Sequence, residues 1–188
     1  MKDSCMRLAY VMAFPIASLR ESIDRFRIPF NSILGETFDY IPQDNSFKLI
    51  TEQVLHEPPI CAGHCESENF IFYANTNIKS SFWGKSIDIE PQSSAHIILK
   101  SSQDHIVYKG ATSSIENIIF GKMYIEHHGE FSFSNSTTGD SGTLKLEKRG
   151  WGGSNAYIVH GEICDKSGKV RYKIEARWDS YLKAIDAQ

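Results

Sequence analysis

Cysteine is scarce in this 188-residue chain, with four residues at positions 5, 61, 65 and 164. That density is too low for a disulfide scaffold, so free thiols are the expectation. An excess of one charge is also missing. Twenty basic residues stand against twenty-three acidic ones, for a net charge of −3, which leaves no global field to attract nucleic acid. Long apolar runs are absent too. "LAYVMAFPIASL" (8–19) is too short to span a bilayer and contains Pro15. It follows Lys2 and Arg7 and ends in small residues, as a signal peptide would. A buried helix, kinked or divided near Pro15, is the reading adopted.

Several chemical signatures are lacking as well. No GxSxG elbow is present, and no cysteine sits in a nucleophile setting. "GWGGSN" (150–155) is rich in glycine but has neither the lysine nor the following helix of a nucleotide loop, and is read as a mobile hairpin tip. Aromatic residues, 12% of the chain, are not interleaved with basic ones, so they are assigned to a core rather than to a single-stranded nucleic-acid surface. No internal repeat or low-complexity run stands out.

What is present reads as one domain, 1–188, long enough to bury a substantial core. Residues 1–26 are predicted helical, with Met6, Tyr10, Ala13 and Ala17 recurring at helical spacing. From about residue 36 to 178 the texture is β. "ETFDYI" and "FKLITEQV" flank the turn-rich "PQDNS" and predict a hairpin. "NFIFYAN" and "FWGKSIDIE" alternate, with Ile87 and Ile89 on one face, and "HIILK" and "HIVYK" are joined by "SSQD". "NIIFGKMYIEHHGEFSFSN" is read as two strands around Gly129, with His127 and His128 exposed at a hairpin end. "GTLKLEKRG", "AYIVHGEIC" and "KVRYKIEARW" continue the pattern, and the tail 179–188 is read as a short helix. The prediction is a mainly β protein: a curled, antiparallel, meandering sheet forming an incomplete barrel, preceded by N-terminal helices.

The densest chemistry lies in "EQVLHEPPICAGHC" (52–65). His56, Cys61, His64 and Cys65 are all possible zinc ligands, but the spacing is wrong for a zinc finger. On a strand Cys61 and Cys65 share one face while His64 takes the other, so no metal is expected. His56 and Glu57 are adjacent, and on an extended chain they point apart, which argues against acid–base catalysis on one proton.

Two segments together carry a family pattern. "RFRIPFNSILGETFDY" (25–40) and "FKLITEQVLHEPPICA" (47–62) resemble the lipid-binding domain of the oxysterol-binding-protein family, which has a Lys-Pro-Phe-Asn-Pro-x-Leu-Gly-Glu segment followed by Glu-Gln-Val-Ser-His-His-Pro-Pro. The second motif stands here as Glu52, Gln53, Val54, Leu55, His56, Glu57, Pro58 and Pro59. The likeness continues through 81–89, 117–126 and 160–170, to Arg177–Trp178.

The resemblance implies a non-enzymatic carrier, with no cofactor, that holds a sterol or phospholipid in a tunnel within the curled sheet. It implies a cytoplasmic monomer acting transiently at membrane surfaces, with a helical pair before the first motif. It implies a headgroup site at the tunnel mouth made by His56, with Arg27, Asn31, Leu34, Gly35 and Glu36 beside it and Pro58 and Pro59 stiffening the turn. In the family a second histidine and a lysine help to hold phosphatidylinositol 4-phosphate. Here they are Glu57 and Ile28, and the proline after Asn31 is Ser32. Weakened phosphoinositide binding is therefore expected, with neutral-lipid binding less affected. The family's N-terminal lid and further C-terminal region have no counterpart in the chain, which is expected to be a shortened member or a piece of a longer product. A relative that keeps the fold but carries no lipid, acting as an interaction or regulatory protein, is the alternative.

Overall fold

A computed structural model describes residues 2–23 and 32–187. One α-helix, α1 (Ser4–Leu19), is followed by a short 3-10 turn, Arg20–Ser22, and then by fourteen strands. The Asp3 side chain caps α1 by accepting from the backbone N–H of Cys5 at 2.9 Å and of Met6 at 3.3 Å. The helix runs through Pro15 without dividing. Pro15 and Ile16 are both buried, and that apolar burial offsets the loss of one backbone donor. The described segment is thus one helix and a single turn rather than a helical pair. Its buried stripe is Cys5, Leu8, Ala9, Met12 and Ile16, not the expected Met6–Tyr10–Ala13–Ala17 face, on which Tyr10 and Ala17 are exposed. Apolar residues lie on both faces of α1, and the sheet takes the one that carries Leu8 and Met12.

The strands are β1 (Thr37–Tyr40), β2 (Phe47–Leu55), β3 (Ile60–Ser67), β4 (Phe70–Asn75), β5 (Ile78–Phe82), β6 (Ser86–Pro91), β7 (Ser94–Leu99), β8 (Asp104–Lys109), β9 (Thr112–Glu116), β10 (Tyr124–Asn135), β11 (Ser141–Leu146), β12 (Ile158–Cys164), β13 (Val170–Arg177) and β14 (Tyr181–Asp186). All are antiparallel to their neighbours, in the order β1-β2-β3-β4-β7-β8-β10-β11-β12-β13-β14. The remaining strands, β5, β6 and β9, form a branch in the order β5-β6-β9-β10. The main sheet curls around α1 but does not close into a barrel. Among the described residues, β1 and β14 are its two unpaired edges.

The branch has a simple origin. β4 leads into β5, β6 into β7 and β8 into β9, while β10 belongs to both layers. Four long ribbons therefore bend at a common level. In β10 the bend falls at Gly129, whose φ is +92°. Residues up to His128 pair with β9, and those from Gly129 on pair with β11 and β8. Residues 124–135 are consequently one strand, not two around a hairpin, and His127 is buried.

The tail also departs from expectation. Tyr181–Asp186 is a strand paired with β13, and Leu182 and Ala184 turn inward toward α1 while Tyr181, Lys183 and Ile185 face out. That alternation has period two, which a helix cannot satisfy. The core lies between the helix and the concave face of the sheet. Leu8 and Met12 meet Ile106, Phe131, Phe133, Leu144, Val159, Ile163 and Ile174 there. The centre of the curl is thus filled by α1.

Candidate functional site

The turn His56–Pro59 closes the β2–β3 hairpin and is exposed, with a cis peptide between Glu57 and Pro58. Just before it the register slips between Gln53 and Leu55, so Val54 is bulged. Gln53 is buried, and its Nε2 donates to the Leu55 carbonyl at 2.8 Å, bracing the bulge. The other predicted loop docks on this strand. Gly35 N–H donates to the Gln53 carbonyl at 2.8 Å, and Gln53 N–H donates to the Glu36 carbonyl at 3.0 Å. Gly35 has φ +79°, a conformation glycine adopts without strain. Glu36 folds back to accept from Ile33 N–H at 2.9 Å.

The fold thus joins Leu34, Gly35 and Glu36 to the stretch that ends in His56. Arg27, Ile28 and Asn31 lie outside the described residues. Within residues 32–36 and 52–59 the carboxylates are Glu36, Glu52 and Glu57, and His56 is the one basic side chain. Ile33, Leu34, Val54 and Leu55 are exposed around the turn. The described part of this site is apolar and acidic rather than phosphate-attracting.

The cysteine–histidine cluster does not converge. β3 is extended, and Cys65 pairs with Phe72 on the face toward α1 while His64 pairs with Tyr73 on the opposite face. There Tyr73 stacks on His96, and His96 Nδ1 lies 3.1 Å from His105 Nε2.

A cavity of about 330 Å³ lies along one flank of α1, lined by Arg7, Tyr10, Val11, Phe14, Phe70, Phe72, Ile97 and Leu99. Its wall is built by alternation, since Phe70 and Phe72 face inward from β4, and Ile97 and Leu99 from β7. Phe14 meets Phe72 edge to face at 5.6 Å. Among the described residues the one charged liner is Arg7, which is engaged by Asp104, with Nε to Oδ2 at 2.5 Å and Nη2 to Oδ1 at 3.2 Å. Burial pushes the Asp104 carboxyl up, but the Arg7 hydrogen bonds and charge outweigh it and hold the group below the usual carboxylate range. The cavity residue Phe72 pairs with Cys65, six residues beyond Pro59, which places this wall roughly 20 Å from the fingerprint turn at strand rise.

A more polar cavity of about 290 Å³ lies at the far end of α1, lined by Ser22, Tyr124, Arg149, Tyr157 and Trp178 among others. Arg149 lies 4.8 Å from the Tyr124 ring centre and 5.2 Å from that of Tyr157, and its Nε donates to the buried Glu126 at 3.0 Å. His127, beside Trp178, has Ser22 Oγ and Ser113 Oγ each at 2.8 Å from a ring nitrogen. Burial, with a smaller push from His128, takes its pKa down to about 4. Phe14 and Arg149, and the place of Tyr10 in the cavity wall, escaped the reading from sequence because they become neighbours of Phe72 and Glu126 only through the folded sheet. Phe70 and Phe72 were visible through their alternation.

The family model described as "Oxysterol-binding protein" matches residues 1–188. The chain belongs to this family. It is 40% identical over 182 residues to oxysterol-binding protein 11 of Dictyostelium discoideum, covering 97% of this chain and 32% of that protein. It is 39% identical over 175 residues to human oxysterol-binding protein-related protein 3, covering 92% of this chain and 20% of that one. Among solved structures, the Osh1 ORD domain in complex with ergosterol superposes with a TM-score of 0.91 at 30% identity, covering 100% of this chain and 45% of that one. The Osh3 ORD in complex with PI(4)P from Saccharomyces cerevisiae superposes with a TM-score of 0.85 at 27% identity, covering 94% and 49%. This oxysterol-binding family chain thus spans a third or less of those two curated relatives and just under half of the solved domains. The chain is thus homologous to domains solved with a sterol and with PI(4)P, and its family is one of lipid-binding and lipid-transfer proteins rather than enzymes. No helix of the described residues is long and apolar enough to cross a membrane.

Proposed function

We propose that this chain carries a sterol or a related neutral lipid on the α1-facing side of its sheet and passes it between membranes, with phosphoinositide binding weakened. The observation that carries this reading is the apolar cavity between α1, β4 and β7, walled by Tyr10, Phe14, Phe70 and Phe72. Its volume falls in the ~300–1,000 Å³ range of small-molecule sites. Burying about 300 Å² of lipid surface at about 25 cal/mol per Å² contributes several kcal/mol, enough to retain a cargo. The protein acts as a monomer from the cytoplasmic side, touching membranes only during exchange.

Glu57 weakens the headgroup site. A carboxylate beside His56 repels a phosphate by on the order of 1 kcal/mol or more once partly desolvated. Native mass spectrometry of the purified protein tests the cargo: a sterol or other neutral lipid is expected, and a lipid-free protein overturns the reading. Glu57→His combined with Ile28→Lys restores charge at both altered motif positions, and binding to vesicles containing phosphatidylinositol 4-phosphate is expected to rise about tenfold or more.

A second reading has its own observation. α1 fills the centre of the curled sheet, so little enclosed space remains. On that reading the fold is retained as an interaction or regulatory module, and mass spectrometry finds no lipid.

A further inference from the structure

We infer that the tip of the β5–β6–β9 branch is a docking surface for an anionic bilayer, inserting Phe82, Trp83, Ile119 and Phe120 between lipid headgroups. The inference names the membrane-facing part of the molecule and rests on the carrier reading for its purpose.

The bent ribbons give the geometry. Thr76 N–H bonds the Cys61 carbonyl and Cys61 N–H bonds Thr76 Oγ1, so the bend lies level with the fingerprint turn. From there β5 runs from Ile78 to Phe82, and β6 and β9 pair alongside. The 82–86 turn and the 117–123 loop are thus neighbours at the far end of the branch, joined by Ile118 N–H to the Lys85 carbonyl at 3.2 Å. Both connections are internally braced. Trp83 N–H donates to the Ser86 carbonyl at 2.9 Å, and Asn117 Nδ2 donates to the Lys122 carbonyl at 3.2 Å.

At this tip Phe82 and Trp83 are each 67% exposed, Ile119 is 59% exposed and Phe120 is 86% exposed. Four large apolar side chains gathered on two braced turns form a patch that water disfavours, and such patches mark interaction sites. The charges select the occupant. Residues 82–86 and 117–123 contain Lys85 and Lys122 and no carboxylate. The Glu116 carboxylate at their base is paired with Lys148 at 3.6 Å. The chain as a whole carries −3, so an anionic surface repels most of the molecule and attracts this end. Aromatic side chains ringed by lysine suit the boundary between headgroups and acyl chains, where apolar rings are buried and ammonium groups stay at the phosphates.

Sedimentation with vesicles of phosphatidylcholine and phosphatidylserine tests this, using protein stripped of lipid so that cargo plays no part. Wild type is expected to sediment. The double variant Trp83→Ala, Phe120→Ala is expected to lose roughly tenfold or more in partitioning. Lys85→Glu with Lys122→Glu is expected to lower binding to these vesicles more than to phosphatidylcholine alone. In a Trp151→Phe background, where Trp178 is buried, the emission of Trp83 is expected to shift to the blue when anionic vesicles are added. That measurement leaves Phe82, Trp83, Ile119 and Phe120 unchanged, and it decides the matter should the double variant fold poorly.

Wild type that does not sediment, a double variant that sediments like wild type, or an unshifted emission overturns the inference. Self-association without vesicles that Trp83→Ala, Phe120→Ala abolishes also overturns it, by making a second copy the occupant. The carrier reading fails separately, through the absence of co-purified lipid in a protein that still sediments.

Discussion

His127 sits where a protonated imidazole has no water to meet it. Burial takes its pKa down to about 4, against 6.5 for the free side chain. Between those values the unfolded chain binds a proton that the folded chain refuses, so stability is full above pH 6.5 and is lost as pH falls toward 4. The whole shift amounts to about 3 kcal/mol. His96 and His128 are also pushed down, chiefly by burial, and add to the loss in the same direction. Replacing His127 by Gln keeps a side-chain donor and acceptor for the two serine partners and removes the titration. Urea unfolding midpoints measured across that interval are expected to fall with acid in wild type and to fall less steeply in His127→Gln. Parallel profiles contradict the assignment. This residue was misread from sequence as an exposed turn histidine because its burial comes from Trp178 and Ser22, more than fifty residues away in one direction and a hundred in the other. That His56 stands in a turn was legible, since the fingerprint is local.

At the scale of elements, the helix and the strand pairs depend on close approaches that single atoms would spoil. Leu8 is fully buried on the sheet-facing side of α1. Leu8→Ala is expected to cost about 2–5 kcal/mol, since it leaves a cavity under the helix, and differential scanning calorimetry reads the loss. Gly161 in β12 makes a sharper case. A Cβ there would stand 2.1 Å from the Thr143 backbone oxygen and 2.7 Å from Leu144 Cδ2. The obstacle is backbone, so the β11–β12 pair itself must move. Gly161→Ala is therefore expected to destabilise by about 1–3 kcal/mol or more, seen as a lower urea midpoint. Period-two alternation made most strands legible, and "PQDNS", "SSQD" and "CDKSGK" fell between paired strands as expected. The errors share a cause. Residues 181–186 and the two halves of 124–135 are short patterns whose meaning is set by a neighbour: β13 for the tail, and β9 with β11 for the long strand.

At the scale of the whole molecule, a curled sheet was foreseeable from the number of alternating segments and from the family pattern. What fills the curl was not. An apolar helix preceding a sheet can lie outside it or within it, and only the burial of Leu8, Met12 and Ile16 against β8, β10, β11 and β12 distinguishes the two. With α1 inside, cargo space is confined to the helix flanks, and the flank toward β4 and β7 has the larger apolar cavity, about 330 Å³ against about 290 Å³ on the side of Leu182 and Ala184. Val11 lies on the wall of that larger cavity and is buried. Val11→Phe extends a ring into the space without disturbing Leu8 or Met12. Filling an apolar void adds contacts, so the melting temperature is expected to hold or rise, in contrast to Leu8→Ala. If the β4–β7 flank is the cargo site, the lipid recovered by native mass spectrometry drops several-fold while sedimentation on anionic vesicles stays at the wild-type level, because the branch tip is untouched. Unchanged lipid content moves the cargo to another surface of the fold.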